Sequence, residues 1–222
     1  MNSERLSGLD QRAAIHGALS DPARLRIVDL LTLGDVSPSE LVEELGLPSN
    51  LLAHHLKVLR ETGLVTSRRS QGDGRKQYLQ LVTDALGVDT PQSVSATRVV
   101  FVCTANSARS HLAAALWRRA SDIASVSAGT HPAERIDRGA IEVAGRRGLP
   151  LPRIRPRSFS EVCQDGDLIV TVCDLAHEEL AVPRELHWSV PDPVRVGTPQ
   201  AYDVAYDELE GRVAALATRL AS

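Results

Sequence analysis

The sequence contains few aromatic residues and few cysteines. Two Phe, two Trp and three Tyr make up 3% of its 222 residues. Broad aromatic stacking surfaces of the kind that bind single-stranded nucleic acid are therefore not expected. Its three cysteines are too few for a disulfide framework, so we expect free thiols, ligands or catalysts in a reducing compartment.

Long apolar runs are also missing. No stretch approaches the roughly 18 consecutive apolar residues of a membrane span. The start of the sequence, MNSERLSGLDQR, has no apolar stretch behind a basic one, as a secretory signal would have. We therefore expect a cytoplasmic protein with no membrane partner.

Neither half of the sequence is basic overall. Residues 1–96 hold 10 basic and 12 acidic residues, and residues 97–222 hold 15 basic and 16 acidic residues. Within residues 57–76, however, six basic residues stand against two acidic ones. This local charge of +4 favours contact with a phosphate backbone, and an ordinary solvated face is the alternative.

Helix signals dominate the sequence up to residue 63. Asp21 precedes a proline at a first helical position, and Ser37 with Glu40 forms a capping box. Ser49 is placed to cap a third helix. Two short helices joined by a tight turn predict a helix-turn-helix.

The third helix is predicted to be amphipathic, with Leu52, Leu56 and Leu59 on its inner face. The opposite face is then free to enter the major groove of DNA. Residues 64–81 follow as a β-hairpin with a glycine-rich, basic tip, which would act as a wing on the phosphate backbone or minor groove. The candidate DNA-binding residues are Ser49, Asn50, His54, Lys57, Arg60, Arg68, Arg69, Arg75 and Lys76.

The stretch SNLLAHHLKVLRETGLVTSRRSQGDGRKQYLQL resembles the winged-helix domain of the ArsR family of bacterial repressors, from roughly Leu9 to Leu81. The resemblance implies a transcriptional regulator that binds double-stranded operator DNA as a homodimer. Metal-sensing members carry a cysteine cluster on the helix that corresponds to Ser37–Leu45. Residues 1–102 contain no cysteine, so no metal or arsenite site of that kind is predicted. A helical bundle that binds protein is the alternative.

The composition changes after the hairpin. Residues 83–97, TDALGVDTPQSVSAT, are small and polar, which predicts a linker between domains at residues 1–82 and 98–222. From Arg98 onward, apolar strands alternate with helices, and this pattern predicts a parallel sheet flanked by helices. The expected fold class is therefore α/β, with a winged helix-turn-helix at the N-terminus.

The segment RVVFVCTANSARSHLAAALW places Cys103 after a strand and Arg109 at the start of a helix. The residues between them can wrap so that their N–H groups converge on a tetrahedral oxyanion. Cys103 is predicted to be the nucleophilic thiolate, Arg109 a bidentate oxyanion ligand, and Ser110 a hydrogen-bond donor to the sulfur. Asn106 is predicted to brace the loop. The candidate oxyanion-binding residues are Thr104, Ala105, Asn106, Ser107, Ala108 and Arg109.

Displacement at such a loop requires a general acid. The candidate is Asp192 in HWSVPDPVRVG, predicted at the end of a short strand, and an ordinary turn aspartate is the alternative. Residues 98–222 look like the low-molecular-weight phosphatase superfamily, with its loop CTANSARS, its SAGT segment at 127–130 and its Asp-Pro acid. That superfamily includes tyrosine phosphatases and the thiol-coupled arsenate reductases called ArsC.

Two features of this half resemble the reductases more than the phosphatases. The loop contains NSARS, and Val194–Gly197 replaces the aromatic residues that phosphatases place after the acid. Cys173, in LIVTVCDLAHEEL, stands where thioredoxin-coupled reductases have a second thiol, and Leu180 stands where they have a resolving cysteine. The alternative role for Cys173 is a buried core thiol. Cys163 is predicted to be structural.

The resemblances together imply a bifunctional arsenic-resistance protein, a DNA-binding regulator fused to an arsenate reductase. Arsenate or phosphate would occupy the loop, with no bound cofactor. The missing resolving cysteine implies an external reductant, either a small thiol such as mycothiol or glutathione with a redoxin, or thioredoxin acting on a Cys103–Cys173 disulfide. Two alternatives remain open, a tyrosine phosphatase fused to a DNA-binding domain and a regulator whose loop serves only as an oxyanion sensor.

Overall fold

The computed structural model describes residues 8–82, 94–152, 154–180, 182 and 185–221. These residues divide into two compact units, one with residues 8–69 and 75–82 and the other with residues 70–74 and 94–221. Most of the predicted linker lies outside the described residues. Its last part, Val94–Ser95, forms a short parallel strand with Leu220–Ala221, and the domain boundaries stay a prediction.

The first unit has four helices and a two-stranded hairpin in the described residues. The elements are α1 (Gly8–Leu19), α2 (Pro22–Leu31), α3 (Pro38–Leu45), α4 (Ser49–Glu61), β1 (Val65–Arg69) and β2 (Gln77–Leu81). The strands pair antiparallel, with Val65 opposite Leu81. This arrangement confirms the predicted helix-turn-helix followed by a hairpin.

Local capping explains where these helices begin and end. The Asp21 side chain accepts a hydrogen bond from the Arg24 N–H at 3.0 Å, and Ser37 and Glu40 form both bonds of the predicted capping box. The prediction for α4 is wrong in one detail. Pro48 holds the N-cap position and no side chain caps the helix, so Ser49 is its first residue instead.

The second unit is built on a four-stranded parallel sheet. Its elements are β3 (Val94–Ser95), β4 (Arg98–Cys103), α5 (Arg109–Ala120), β5 (Ala124–Gly129), α6 (Arg138–Arg146), α7 (Phe159–Val162), β6 (Leu168–Thr171), α8 (Asp174–Leu180), β7 (Glu185–His187), α9 (Pro193–Val196), α10 (Pro199–Ala217) and β8 (Leu220–Ala221). The sheet order is β5-β4-β6-β7, and all of its pairs are parallel. The predicted parallel sheet with helices is therefore confirmed.

The central strand β4 carries the core of this unit. Val99, Val100, Phe101 and Val102 are fully buried, as expected for a strand covered on both faces. The chain leaves β4 toward β5 on one side and later returns to β6 on the other, so β4 and β6 form a topological switch point. Ligands of open α/β sheets bind at the carboxyl ends of strands at such a point.

No helix among the described residues is both long enough and apolar enough to cross a membrane.

A partly buried ion pair lies at the amino end of β4. Asp167 accepts hydrogen bonds from Arg98 Nε at 2.7 Å and Nη2 at 2.6 Å, and from the Gln164 N–H at 2.7 Å. Burial alone would raise the pKa of Asp167, but the hydrogen bonds from Arg98 and Gln164 and the charge of Arg98 together lower it. A carboxyl with a lowered pKa stabilises the fold above its unfolded pKa, and this contribution is lost as the pH falls through its folded pKa.

We therefore expect Asp167→Asn to lower the free energy of unfolding at neutral pH by about 2 kcal/mol. The difference from wild type should shrink below about pH 4, where the wild-type carboxyl also becomes protonated. Urea unfolding at several pH values measures this. Glu142→Gln, which removes the exposed ion pair with Arg138, is the matched control and should change little. A difference that does not vary with pH would contradict the role assigned to the Asp167 charge.

Candidate functional site

The candidate oxyanion loop joins the carboxyl end of β4 to the amino end of α5. Cys103 is the last residue of β4 and Arg109 the first of α5. Ala108 holds the N-cap position of α5, where no side chain forms a capping hydrogen bond. The first N–H groups of α5 therefore have no side-chain cap, and they carry the partial positive charge of a helix N-terminus.

The backbone of this loop turns its carbonyls and its N–H groups to different sides. Four carbonyls of the loop accept hydrogen bonds from N–H groups in the segment after β5. The Thr130 N–H donates to the Cys103 carbonyl at 3.2 Å, His131 to Thr104 at 2.8 Å, Ala133 to Ala105 at 2.9 Å, and Asp137 to Ser107 at 2.8 Å. Within the described part of the chain, the N–H groups of residues 104–108 donate to no acceptor. The segment after β5 thus occupies the carbonyls and leaves the N–H groups available to an anion.

Asn106 adopts the backbone conformation on which this loop depends. Its φ is 46°, a left-handed value that no other non-glycine residue has in the described ranges. Such a conformation costs roughly 1–2 kcal/mol for a side chain other than glycine. Asn106 is fully buried, and its Oδ1 accepts a hydrogen bond from the Arg157 N–H at 2.8 Å. It occupies the bracing position that the sequence predicts.

Gly129 allows β5 to approach the loop closely. A Cβ atom at this position would lie 2.7 Å from the Thr104 carbonyl oxygen and 2.9 Å from the Asn106 nitrogen. Both neighbours are backbone atoms, so a larger residue would displace the loop. Gly129 is not among the predicted site residues, although its place within the SAGT segment was the available signal.

The nucleophile candidate lies at the base of the loop. Cys103 is 3% exposed, and its Sγ lies 3.1 Å from the Ser110 Oγ. The Asn106 Nδ2 donates to the same Ser110 oxygen at 2.9 Å. Because the hydroxyl oxygen accepts from Asn106, its proton is free to point at the sulfur, which stabilises a thiolate.

Arg109 and Asp192 meet across the mouth of the loop. Arg109 donates through Nη1 to the Val190 carbonyl at 2.9 Å, and its Nη2 lies 2.9 Å from Asp192 Oδ2. Asp192 is not at the end of a strand as predicted, because β7 ends at His187 and Asp192 caps the short helix α9 through a hydrogen bond from the Val194 N–H. The two candidate residues are nonetheless brought together.

Cys173 lies next to the loop, just after β6. Its Sγ is 3.4 Å from the Thr104 Oγ1, and the residue is buried. Burial raises the pKa of the Cys173 thiol, the charge of Arg109 acts in the opposite direction, and the charge of Cys103 raises it further. Cys173 is therefore a neutral thiol within electrostatic reach of both Cys103 and Arg109.

Cys163 lies elsewhere in the unit. Burial and the charge of Asp167 raise the pKa of its thiol, and the charge of Arg98 opposes them. Arg98 begins β4 whereas Cys103 ends it, so Cys163 belongs to the end of the strand away from the loop. This position is consistent with the structural role predicted for it.

Several residues that hold the site together were not found by sequence analysis. Asp137 donates its N–H to the Ser107 carbonyl and accepts a hydrogen bond from the Tyr202 hydroxyl at 2.5 Å. The ring of Tyr202 packs where a Cβ on Gly139 would clash. Burial and the bond to Asp137 raise the pKa of Tyr202, so it stays a neutral donor. His111 is also buried, on α5 beside Ser127.

The helix α4 presents the polar face that the sequence predicts. Leu52, Leu56 and Leu59 are buried. Lys57 is 72% exposed, and it pairs loosely with Glu61 at 3.8 Å. The predicted DNA-binding residues that are exposed are Ser49, Asn50, His54, Lys57, Arg60, Arg69, Arg75 and Lys76, and Arg68 is half-buried.

No group of three or more His, Cys, Asp or Glu side chains in the described ranges has an arrangement suited to a metal ion.

Comparisons with known proteins match the two units separately. Residues 98–222 match the family described as low molecular weight phosphotyrosine protein phosphatase, and residues 19–68 match a helix-turn-helix domain. The tyrosine phosphatase Wzb from Escherichia coli K30, solved in complex with sulphate, is 26% identical with a TM-score of 0.51, over 55% of this chain and 96% of that one.

Two similar proteins are named for functions in arsenic resistance. The arsenical resistance operon repressor of Staphylococcus aureus is 41% identical over 63 residues, which are 28% of this chain and 58% of that protein. The putative arsenate reductase of Halobacterium salinarum is 27% identical over 128 residues, which are 54% of this chain and 89% of that protein. The chain thus spans little more than half the length of the staphylococcal repressor.

The match over residues 98–222 covers more than half of the sequence, and it agrees with the parallel sheet, the cysteine loop and the facing Arg109–Asp192 pair. The chain therefore belongs to the low molecular weight phosphotyrosine protein phosphatase family, and it carries a helix-turn-helix domain of the ArsR type before its phosphatase-fold domain.

Proposed function

We propose that this protein is a bifunctional arsenic-resistance protein, in which a DNA-binding regulator is fused to a thiol-dependent arsenate reductase. The observation that carries the proposal is the buried thiol of Cys173 beside the Cys103 loop, where its sulfur lies 3.4 Å from the Thr104 Oγ1. A phosphatase needs only one thiol, because water resolves its intermediate. A reductase needs two, because arsenic must gain two electrons.

The first step of the proposed reaction uses the loop. The Cys103 thiolate attacks the arsenic of arsenate, an S–As bond forms, and one As–O bond breaks. Asp192 protonates the departing oxygen, which leaves as water. Arg109 and the inward N–H groups of the loop bind the remaining oxygens and stabilise the charge of the transition state.

The second step transfers the electrons. The Cys173 thiolate attacks the Cys103 sulfur, the S–S bond forms, and the electron pair of the S–As bond stays on arsenic. Two thiols are oxidised to a disulfide, and As(V) leaves as arsenite. The charge of Cys103 raises the pKa of Cys173 in the resting site. Bond formation to arsenic removes that charge, so Cys173 becomes easier to deprotonate at the step that requires it.

The Cys103–Cys173 disulfide must then be reduced from outside. Leu180 occupies the place of the resolving cysteine in the family's three-cysteine relay. We therefore propose that a redoxin or a small thiol, such as thioredoxin, glutathione or mycothiol, completes the cycle, and that no cofactor is bound.

The residues around the acid support a small substrate. Val194 and Val196, which follow Asp192, are 41% and 60% exposed, and they offer no aromatic faces between which a phosphotyrosine ring can stack. An inorganic oxyanion needs no such contact. Arsenate, with phosphate as its close analogue, is therefore the ligand that we propose.

For the first unit we propose binding to double-stranded operator DNA by a cytoplasmic homodimer. The exposed basic face of α4 and the basic hairpin support this, because a major-groove helix needs polar and basic side chains on its outer face. A dimer follows from the need to place two such helices on two half-sites.

Our first prediction for the site concerns Cys103. At pH 6 it should react with iodoacetamide at least about tenfold faster than Cys163, because the Ser110 hydroxyl and the start of α5 stabilise the thiolate, which is the form that reacts. Arsenate or phosphate should protect it. Arg109→Lys keeps the charge but not the bidentate geometry, so protection should weaken. Peptide mass spectrometry measures each thiol. Equal reactivity of all three cysteines, unaffected by oxyanion, would overturn the proposed site.

The second prediction separates a reductase from a phosphatase. Cys173→Ser should abolish multiple-turnover arsenite release while adduct formation at Cys103 persists, because only the electron-donating thiol is lost. Cys163→Ser is the matched control and should retain turnover. The assay supplies thioredoxin, glutathione with glutaredoxin, and mycothiol with mycoredoxin in separate reactions.

The same variants are tested on para-nitrophenyl phosphate, which wild type should hydrolyse slowly. Efficient hydrolysis with no arsenite under any reductant would show a phosphatase instead. Arsenate turnover that survives Cys173→Ser but needs a small thiol would make Cys173 a core residue and the external thiol the second electron donor.

The third prediction concerns DNA. Lys57→Ala should weaken binding to the DNA upstream of the protein's own gene, and the loss of one phosphate contact should reduce the slope of log affinity against log salt by about one. Arg26→Ala, which removes a cation on α2 paired with Glu44, is the control and should leave the slope unchanged. Electrophoretic shifts over a salt series measure both. Affinity that does not depend on salt would contradict this role for α4.

A further inference from the structure

One short segment of the second unit lies outside the stretch that matches the phosphatase family. Residues 70–74, SQGDG, connect β1 to β2 in sequence, yet they form one compact unit with residues 94–221. The family match covers residues 98–222. The proposed reaction does not use this segment, so its contacts require an explanation.

Helix α8 holds the segment through two carboxylates. The Ser70 hydroxyl donates to Glu178 Oε1 and the Asp73 N–H donates to Glu178 Oε2, both at 2.7 Å. The Gln71 N–H donates to Asp174 Oδ2 at 2.6 Å. Hydrogen bonds to charged acceptors are roughly twice as strong as those between neutral groups. Three hydrogen bonds of this kind therefore fix residues 70–73 on α8.

Asp174 is itself held by the sheet. It is 4% exposed, and its Oδ1 lies 3.1 Å from His187 Nε2. The other ring nitrogen of His187 lies 3.0 Å from the Thr171 Oγ1 on β6. Burial alone would raise the pKa of Asp174, but hydrogen bonds, first from His187 and then from the Gln71 N–H, bring it below its usual value. A charged and buried Asp174 thus anchors the Gln71 backbone.

The side chain of Gln71 reaches the candidate acid. Its Oε1 accepts a hydrogen bond from the Asp192 N–H at 2.9 Å. Asp192 stands between Pro191 and Pro193, and proline has no N–H to donate. The Asp192 N–H is therefore the one backbone donor of these three residues, and Gln71 accepts it. The carboxylate of the same aspartate lies 2.9 Å from Arg109 Nη2 at the oxyanion loop.

We infer that Gln71 is a positioning residue, which is anchored by Asp174 and whose amide oxygen holds the backbone of Asp192 with the carboxyl at the oxyanion loop. The inference rests on the proposed function, in which Asp192 is the general acid, and it adds to the site a residue from outside the family's domain. No bond of the substrate is made or broken at Gln71. Its effect depends on where the acid lies, and a misplacement of about 1 Å can lower a rate about a hundredfold.

Aryl phosphates test the position of the acid without involving the second thiol. The Cys103 thiolate forms an S–P bond, the bond from phosphorus to the phenol oxygen breaks, and the proton of Asp192 goes to that oxygen. Phenol ionises at about pH 10, as tyrosine does, so its oxygen leaves poorly without a proton. The nitro group makes para-nitrophenol a much better leaving group. A misplaced acid should therefore slow phenyl phosphate far more than para-nitrophenyl phosphate.

The experiment compares kcat/KM of the full chain for these two esters. Gln71→Met keeps the length of the side chain but removes the acceptor oxygen. It should lower kcat/KM about tenfold for phenyl phosphate and by less than about threefold for para-nitrophenyl phosphate. Gln71→Glu keeps an acceptor oxygen at the same reach and should stay within about threefold of wild type for both esters.

Further variants test whether the effect depends on Asp192 and on the place of the segment. Adding Gln71→Met to Asp192→Asn should cause little further loss, because the two residues act as one unit. Gly72→Ala should change the ratio between the esters as Gln71→Met does, since its Cβ would clash with the Glu178 carboxylate that holds the segment. Gln200→Met, the same change at an exposed position of α10, is the matched control and should leave the ratio unchanged.

A single turnover of arsenate without added reductant gives a second readout. Gln71→Met should slow arsenite release about tenfold, while its melting temperature stays near that of wild type because the residue is exposed. An unchanged ratio between the esters in Gln71→Met, or an undiminished loss when it is added to Asp192→Asn, would overturn the role of Gln71. If wild type releases no arsenite while the ratio changes as expected, the proposed reductase is overturned and the role of Gln71 stands.

Discussion

A short turn between a strand and a helix can bind an anion only if its peptide N–H groups face the ligand and its carbonyls are satisfied elsewhere. The second unit meets this constraint with backbone from several segments. Residues 130–137 satisfy the carbonyls of the loop, and Asn106 supplies the left-handed turn. The close approach of β5 requires Gly129. The strain at Asn106 is tolerated because these contacts surround it on several sides.

The parallel sheet explains why residues so far apart in sequence meet at this loop. Cys103 ends β4, Cys173 follows β6, and Asp192 follows β7. Because the carboxyl ends of parallel strands share one edge, all three arrive at the same edge of the sheet. The proposed reduction uses this arrangement, since its two thiols and its acid come from three neighbouring strands. A local motif alone does not provide that set.

Charge and burial give the thiols of Cys103 and Cys173 different chemical roles in the proposed cycle. Cys103 lies against Ser110 and a helix N-terminus, which favour its anion, whereas burial and the charge of Cys103 raise the pKa of Cys173. In the proposed cycle, Cys103 is therefore the nucleophile that attacks arsenic, and Cys173 is the second thiol, which becomes oxidised when it forms the disulfide.

The sequence by itself determined what depends on near neighbours. Turns, caps and periodicity are encoded within a few residues. The sequence therefore predicted the caps at Asp21 and Ser37, the apolar face of α4, the strand, loop and helix around Cys103, and the hairpin. Tertiary structure alone decided that Asp192 faces Arg109, and that His111 meets Ser127. Those contacts join segments distant in sequence, and their geometry is set by how strands and helices pack rather than by any local pattern.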